Sequence, residues 1–171
     1  MDLKAHIRGI PDFPIPGILF YDISTILSNP SALEYAVAAM EEKISAWQPD
    51  IIAGIESRGF LFATPLAMRM GLPMMMIRKA GKLPGEVVSY EYDLEYGTDT
   101  IQIQADAIKA GQKVVIIDDL LATGGTLSAS VRLCQQVGGE VVGCGVVIEL
   151  DFLSGKDSLE VPCISLVNYS I

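Results

Sequence analysis

Runs of apolar residues along the chain switch between strand and helix periods. Leu3, Ile7 and Ile10 predict a short N-terminal helix that stops before Pro11. Pro11, Pro14 and Pro16 then forbid a helix and predict a stiff, extended connector. Ile18, Leu19, Phe20 and Tyr21 are too apolar for a connector facing only water, so this stretch should cover something. Asn29-Pro30 has the chemistry of a helix start, and Leu33, Val37, Met40, Ile44 and Trp47 continue it as one apolar stripe. A short buried strand is predicted over residues 50–55, a mostly apolar helix over 60–70 ending at Gly71, and a strand over 74–77. Residues 87–94 alternate, with Val88, Tyr90, Tyr92 and Leu94 on one face. With residues 100–104 they predict a β-hairpin. Residues 114–117 are four β-branched apolar residues, the mark of a strand buried on both faces. A helix follows on Leu127, Val131, Cys134 and Val137, then strands over 140–149 and 162–167. Residues 151–160 read as a surface connection without chemistry.

Strands alternating with helices predict an α/β fold, an open and mostly parallel sheet flanked by helices, with its site at the carboxyl ends of the strands. A chain of 171 residues suits one domain, residues 1–171, burying roughly 70% of its unfolded surface. Net charge is −9, which argues against a nucleic-acid or membrane-binding face. It leaves an anionic ligand open, because distant charges are screened beyond about 8 Å. Position matters more than the sum: Arg58, Arg69, Arg78, Lys79 and Lys82 crowd one region. Cys134, Cys144 and Cys163 are single and widely spaced, so they read as buried thiols of a reducing compartment. With no signal-peptide layout and no apolar run of membrane-spanning length, a cytoplasmic location is expected.

The chemistry concentrates in residues 114–126. Asp118 and Asp119 stand at the expected strand exit, where two carboxylates cost stability unless they bind something. Ala122, Thr123, Gly124, Gly125 and Thr126 form a loop of small residues opening into a helix. Such a loop allows close backbone approach, and its hydroxyls and the helix N-terminus favour an anion. Strand, acid pair, cradle and helix together read as a ribose-phosphate site. Glu56-Ser57-Arg58-Gly59 repeats the pattern after the preceding buried strand, with an arginine able to pair bidentately with phosphate. Residues 78–97 start basic and glycine-rich and continue as the hairpin, the composition of a lid or binding loop.

Residues 114–126 resemble the phosphoribosyl pyrophosphate signature of the type I phosphoribosyltransferases, and Leu-Leu-Ala-Thr-Gly-Gly-Thr is similar to the wording of their adenine branch. The resemblance covers nearly the whole chain in four motifs in the family's order. It implies a small N-terminal hood and a flexible β-hairpin loop beside the sheet. It also implies transfer of a phosphoribosyl group to adenine, giving AMP and diphosphate. By this resemblance Asp118 and Asp119 hold the ribose hydroxyls, and residues 122–126 hold the 5-phosphate. Ser57 and Arg58 hold the leaving diphosphate, aided by Arg78 from its own or a neighbouring subunit and by Lys79 and Lys82. The segment from Phe13 to Phe20 forms part of a hood over the purine. There the main chain at Leu19 and Tyr21 reads the adenine edge and Phe20 lies near the ring face. Many relatives carry a basic residue at the position of Tyr21. Glu95-Tyr96 matches the family's lid, whose glutamate handles the purine proton. A homodimer is implied. Mg²⁺ is expected to arrive on the pyrophosphate substrate, because no protein cluster has metal-ligand spacing. Two other readings stay open: a phosphoribosyltransferase for another base, and a non-enzymatic purine sensor that keeps the pocket.

Overall fold

The computed structural model describes residues 1–94 and 96–171. Among these described residues nine strands and four α-helices follow one another: β1 (Arg8–Pro11), β2 (Leu19–Asp22), α1 (Ser24–Leu27), α2 (Pro30–Ile44), β3 (Ile51–Ile55), α3 (Gly59–Met70), β4 (Met74–Lys79), β5 (Val87–Asp93), β6 (Thr98–Gln104), β7 (Lys113–Leu121), α4 (Gly125–Gln136), β8 (Glu140–Leu150) and β9 (Cys163–Tyr169). β3 to β9 form one sheet in the order β5-β6-β4-β3-β7-β8-β9. Its five central and distal strands, β4-β3-β7-β8-β9, are parallel, and the β5–β6 hairpin adds to β4 antiparallel.

The period of two explains the two-sided core. In β7, Val114 and Ile116 join one apolar cluster with Leu127, Val131 and Cys134 of α4, while Val115 and Ile117 join the other with Val37 and Met40 of α2 and Phe62 and Leu66 of α3. β7 therefore lies between α4 on one face and α2 and α3 on the other. Asn29 caps α2 as its sequence suggested, its side chain accepting from Ala32 N–H at 3.2 Å. Trp47, the last member of the expected stripe, sits beyond α2 in a 3-10 turn, Ser45–Trp47.

Three local expectations give way. The N-terminal helix is only a 3-10 turn, Leu3–His6, and Ile10 belongs to β1. The proline-stiffened stretch is not a simple connector, because β1 and β2 pair antiparallel across it, Arg8 opposite Asp22 and Pro11 opposite Leu19. Pairing satisfies backbone groups that an isolated helical turn of this length could not. Ser24 side-chain and backbone hydrogen bonds, with Arg8 beside them, hold the Asp22 carboxyl down to about 2. Third, β7 does not end before the acid pair. It continues through Asp118 and Asp119 to Leu121, with Asp118 opposite Val146 and Leu120 opposite Ile148 of β8. The acids are thus fixed by a ladder rather than carried on a loop.

Candidate active site

A cavity of about 420 Å³ opens at the carboxyl ends of β3, β4 and β7. This is where the chain order around the sheet reverses, with β4 on one side of β3 and β7 on the other. Its walls include Arg58, Arg78, Lys79, Asp118, Asp119, and every residue from Ala122 to Thr126. Three of the four motifs, those carrying Arg58, Arg78 and Asp118, therefore meet in one space, and the Phe13–Phe20 segment stays outside its lining.

The acid pair forms the floor. Asp119 is only 6% exposed, and its carboxylate accepts a hydrogen bond from Arg58 Nε at 2.6 Å. Asp118 turns back, its Oδ1 accepting from Asp119 N–H at 2.8 Å. Burial, followed by the negative charge of Asp119, pushes the Asp118 carboxyl well above its ordinary range. A carboxylic acid raised in the native state keeps a proton that the unfolded chain has lost, so its contribution to stability falls as pH rises from the ordinary carboxylate range upward. Asp118→Asn should therefore raise Tm at pH 7 by about 2–4 °C, the span of about 1 kcal/mol in a chain of this size. Thermal melts across pH should show the gain fading below the ordinary carboxylate range; an equal gain at pH 3 and pH 7 would contradict the assignment.

Above the floor, Gly124 takes a left-handed conformation (φ 87°) that turns the chain into α4. The first peptide N–H groups of this 12-residue helix have no intrahelical partner. Thr126 Oγ1 lies 3.3 Å from the Tyr92 hydroxyl, so the inward face of the hairpin reaches the cradle.

On the opposite wall, Glu56 spans two neighbours. Its carboxylate accepts from Lys79 N–H at 2.7 Å and from Arg78 Nη2 at 3.3 Å. Burial opposes its ionisation, but the Lys79 N–H bond and the Arg78 guanidinium outweigh it and hold the carboxyl below its ordinary range. Arg78 Nε is buried and has no hydrogen-bond partner among the described residues. The Glu56–Ser57 peptide is cis. Lys79 Nζ also lies 3.6 Å from Asp99 on the hairpin.

The remaining expected residues lie outside the cavity wall. Ser57 is exposed at the start of the turn before α3, and Lys82 is exposed beyond β4. Phe20 meets the site through Arg58, whose guanidinium lies 5.5 Å from its ring; Phe13 packs edge-on against Phe20 at 5.1 Å. Leu19 is exposed on the same hood. The Tyr21 ring stacks on Tyr169 at 4.1 Å, which occupies the side chain and leaves only its main chain for a ligand. Tyr96 is 87% exposed, and Glu95 lies outside the described residues. The wall residues that were not expected at the site include Glu56, Tyr92, Leu94 and Asp99. Glu56 carried a usable signal, since it follows a buried apolar run as Asp118 follows residues 114–117. Tyr92 and Leu94 carried one in their place on the inward face of the hairpin.

Comparison with known proteins agrees with this geometry. A family model described as a phosphoribosyl transferase domain matches residues 22–165. The adenine phosphoribosyltransferase of Gluconobacter oxydans is 60% identical over 169 residues, covering 99% of this chain and 94% of that protein. The enzyme of that name from Gluconacetobacter diazotrophicus is 59% identical, covering 99% and 96%. Among solved structures, adenine phosphoribosyltransferase from Thermoanaerobacter pseudethanolicus superposes with a TM-score of 0.95 at 47% identity, covering 98% of each chain. That of Saccharomyces cerevisiae, complexed with an imino-altritol bisphosphate and adenine, has a TM-score of 0.92 at 41% identity, covering 96% of each. The chain belongs to the phosphoribosyl transferase family and, within it, to the adenine phosphoribosyltransferases.

Proposed function

We propose that the chain transfers the phosphoribosyl group of 5-phosphoribosyl 1-pyrophosphate to adenine, releasing AMP and diphosphate, a purine-salvage reaction. The observation that carries this reading is the single cavity in which the acid pair, the cradle and two arginines converge. Departure of diphosphate leaves an oxocarbenium-like sugar, so rate comes from placed charges and orientation. Asp118 and Asp119 hold the ribose hydroxyls, and Asp119 puts negative charge beneath the ring. Residues 122–126 fix the 5-phosphate with helix N–H groups and threonine hydroxyls. Arg58 spends Nε on Asp119 and keeps other donors for diphosphate, coupling the sugar and leaving-group sites through one side chain. Arg78 lines this chain's own cavity, and its guanidinium adds positive charge beside the same diphosphate; Ser57, Lys79 and Lys82 complete the anion's surroundings. Leu19 and Tyr21 present main-chain groups to adenine under Phe20, and Glu95 accepts the proton that adenine gives up as its nitrogen bonds to the sugar.

Among the described residues no three His, Cys, Asp or Glu side chains gather to hold a metal. The carboxylates that face the cavity would instead complement Mg²⁺ carried in by the diphosphate, where the ion neutralises charge on the departing group. Among the described residues no helix is long and apolar enough to cross a membrane. The free cysteines suit the cytoplasm: burial lifts the Cys134 thiol to about 12 and the Cys163 thiol to about 11, which keeps both unreactive. A second copy of the chain would cover the exposed Leu61 and Met68 of α3 and Met76 of β4. Sedimentation should give a dimer at micromolar concentration, and a clean monomer would contradict this. Chromatography of a reaction with adenine, the pyrophosphate substrate and Mg²⁺ tests the whole reading. AMP is the expected product, and tight binding of the pyrophosphate without AMP would favour a purine sensor.

A further inference from the structure

The segment between β8 and β9 carried no chemistry in the sequence, yet it forms the back of the phosphate cradle. After a 3-10 turn at Asp151–Leu153, a second one, Gly155–Ser158, runs directly behind residues 121–124. The two backbones touch. A Cβ on Gly155 would fall 2.3 Å from the carbonyl oxygen of Ala122, and one on Gly124 would fall 2.4 Å from the carbonyl oxygen of Gly155 and 2.2 Å from Ser158 Oγ. The Ser158 hydroxyl lies 3.4 Å from the Thr123 carbonyl oxygen and 2.8 Å from that of Gly155, and donates to them.

One ion pair fastens this turn to the sheet. Lys156 Nζ lies 2.7 Å from Glu149 Oε2, and Glu149 is only 5% exposed. Glu149 stands opposite Leu121, the last residue of β7 before the cradle. It also accepts from Ser165 Oγ at 2.7 Å and Asn168 Nδ2 at 3.2 Å on β9, and Asn168 in turn donates to Asp151 at 2.8 Å. Both ends of the connection are therefore tied at one buried carboxylate, and the cradle rests on the turn between them.

The geometry points to Lys156 as a positioning residue: by holding the 155–158 turn on Glu149, it sets the shape of the cradle that receives the 5-phosphate. It touches no substrate and acts through Gly155 and Ser158 on the backbone of residues 122–124. This role rests on the phosphoribosyl transfer proposed above. It makes a selective demand, because a displaced cradle weakens the sugar phosphate and leaves the purine, held by the hood, unaffected.

The test compares Lys156→Met, Lys156→Arg and the double variant Glu149→Gln with Lys156→Met. The double variant removes both charges and leaves no buried carboxylate unpaired, so the measurement survives even where the single variant folds poorly. Two readouts are taken on each folded protein: KM for both substrates, and affinity for ribose 5-phosphate by calorimetry. Lys156→Met and the double variant should raise KM for the pyrophosphate substrate at least about 10-fold and weaken ribose 5-phosphate similarly, since small misplacements cost up to about 10²-fold. KM for adenine should stay within about 2-fold, and Lys156→Arg should restore both readouts to near wild type. Unchanged ribose 5-phosphate affinity in a folded variant, or an equal rise in both KM values, would overturn the role. Wild-type protein that binds ribose 5-phosphate but forms no AMP would sink the adenine reading alone, and the calorimetric comparison would still decide this one.

Discussion

Asp119→Asn should lower kcat at least ~100-fold, a rise of about 2.7 kcal/mol in the barrier, while the protein keeps its fold. Asp119 is the acid of the pair that stays engaged with a cation, through Arg58 Nε at 2.6 Å. The asparagine keeps an oxygen that can accept this hydrogen bond and fills the same volume in β7. What it removes is a negative charge beneath a sugar ring that becomes positive only as diphosphate leaves. An interaction made mainly in the transition state shows itself in kcat rather than KM. A second effect acts in the same direction: a neutral residue holds Arg58 less firmly, so the donors meant for diphosphate are less well placed. Steady-state kinetics of the variant, with a thermal melt to establish folding, check this. Near-normal kcat would remove Asp119 from the ribose site and with it the reason for two carboxylates inside a buried strand. The contrast with Asp118 sharpens the test. Asn at 118 is expected to stabilise, because the native Asp118 carboxyl is raised by burial and by its neighbour. Asn at 119 gives up an ion pair and has no such gain.

The parts of the fold that a single local pattern determines were legible in the sequence. Residues 114–117 could be buried on both faces only in an inner strand, and Asn29-Pro30 could only begin a helix. The glycine and threonine loop opening into α4 was equally plain. What the sequence did not disclose depends on partners distant along the chain. Leu3, Ile7 and Ile10 have helical spacing, but pairing of β1 with β2 claims Ile10 for a strand. The end of β7 is set by β8, which continues the ladder beyond the acids to Leu121 opposite Glu149. Glu56 stood in plain view at the head of the Glu56–Gly59 turn, yet its role as partner of Arg78 and Lys79 follows from the neighbouring places of β3 and β4. The 151–160 connection has polar surface composition, and only the tertiary structure brings Gly155 and Ser158 behind the cradle. The resemblance implies one site built from separated motifs, and the fold brings three of them, those of Arg58, Arg78 and Asp118, to one cavity.

Choice of base should be the largest effect of all. Adenine offers a donor at its exocyclic amine beside an acceptor ring nitrogen. Hypoxanthine reverses both, with a carbonyl beside a ring N–H. In the proposed reading, a fixed main-chain pair at Leu19 and Tyr21 that suits one edge faces the other with two like groups opposed. β2 is suited to this, because β1 pairs with only one of its edges and alternate peptide groups on the other point away from the two-stranded sheet. Its backbone is held in place by Arg8 on Asp22 and by packing of Phe13 on Phe20. Apolar fit under Phe20 alone would separate the bases by only ~10–200-fold, whereas unmatched hydrogen-bonding edges can reach ~10⁴–10⁵. The decisive measurement is diphosphate release from 5-phosphoribosyl 1-pyrophosphate with Mg²⁺, driven in turn by adenine, hypoxanthine, guanine and xanthine. The account predicts turnover with adenine and a kcat/KM at least ~10³-fold lower with hypoxanthine; equal rates on the two bases, or no diphosphate release with adenine, would contradict it.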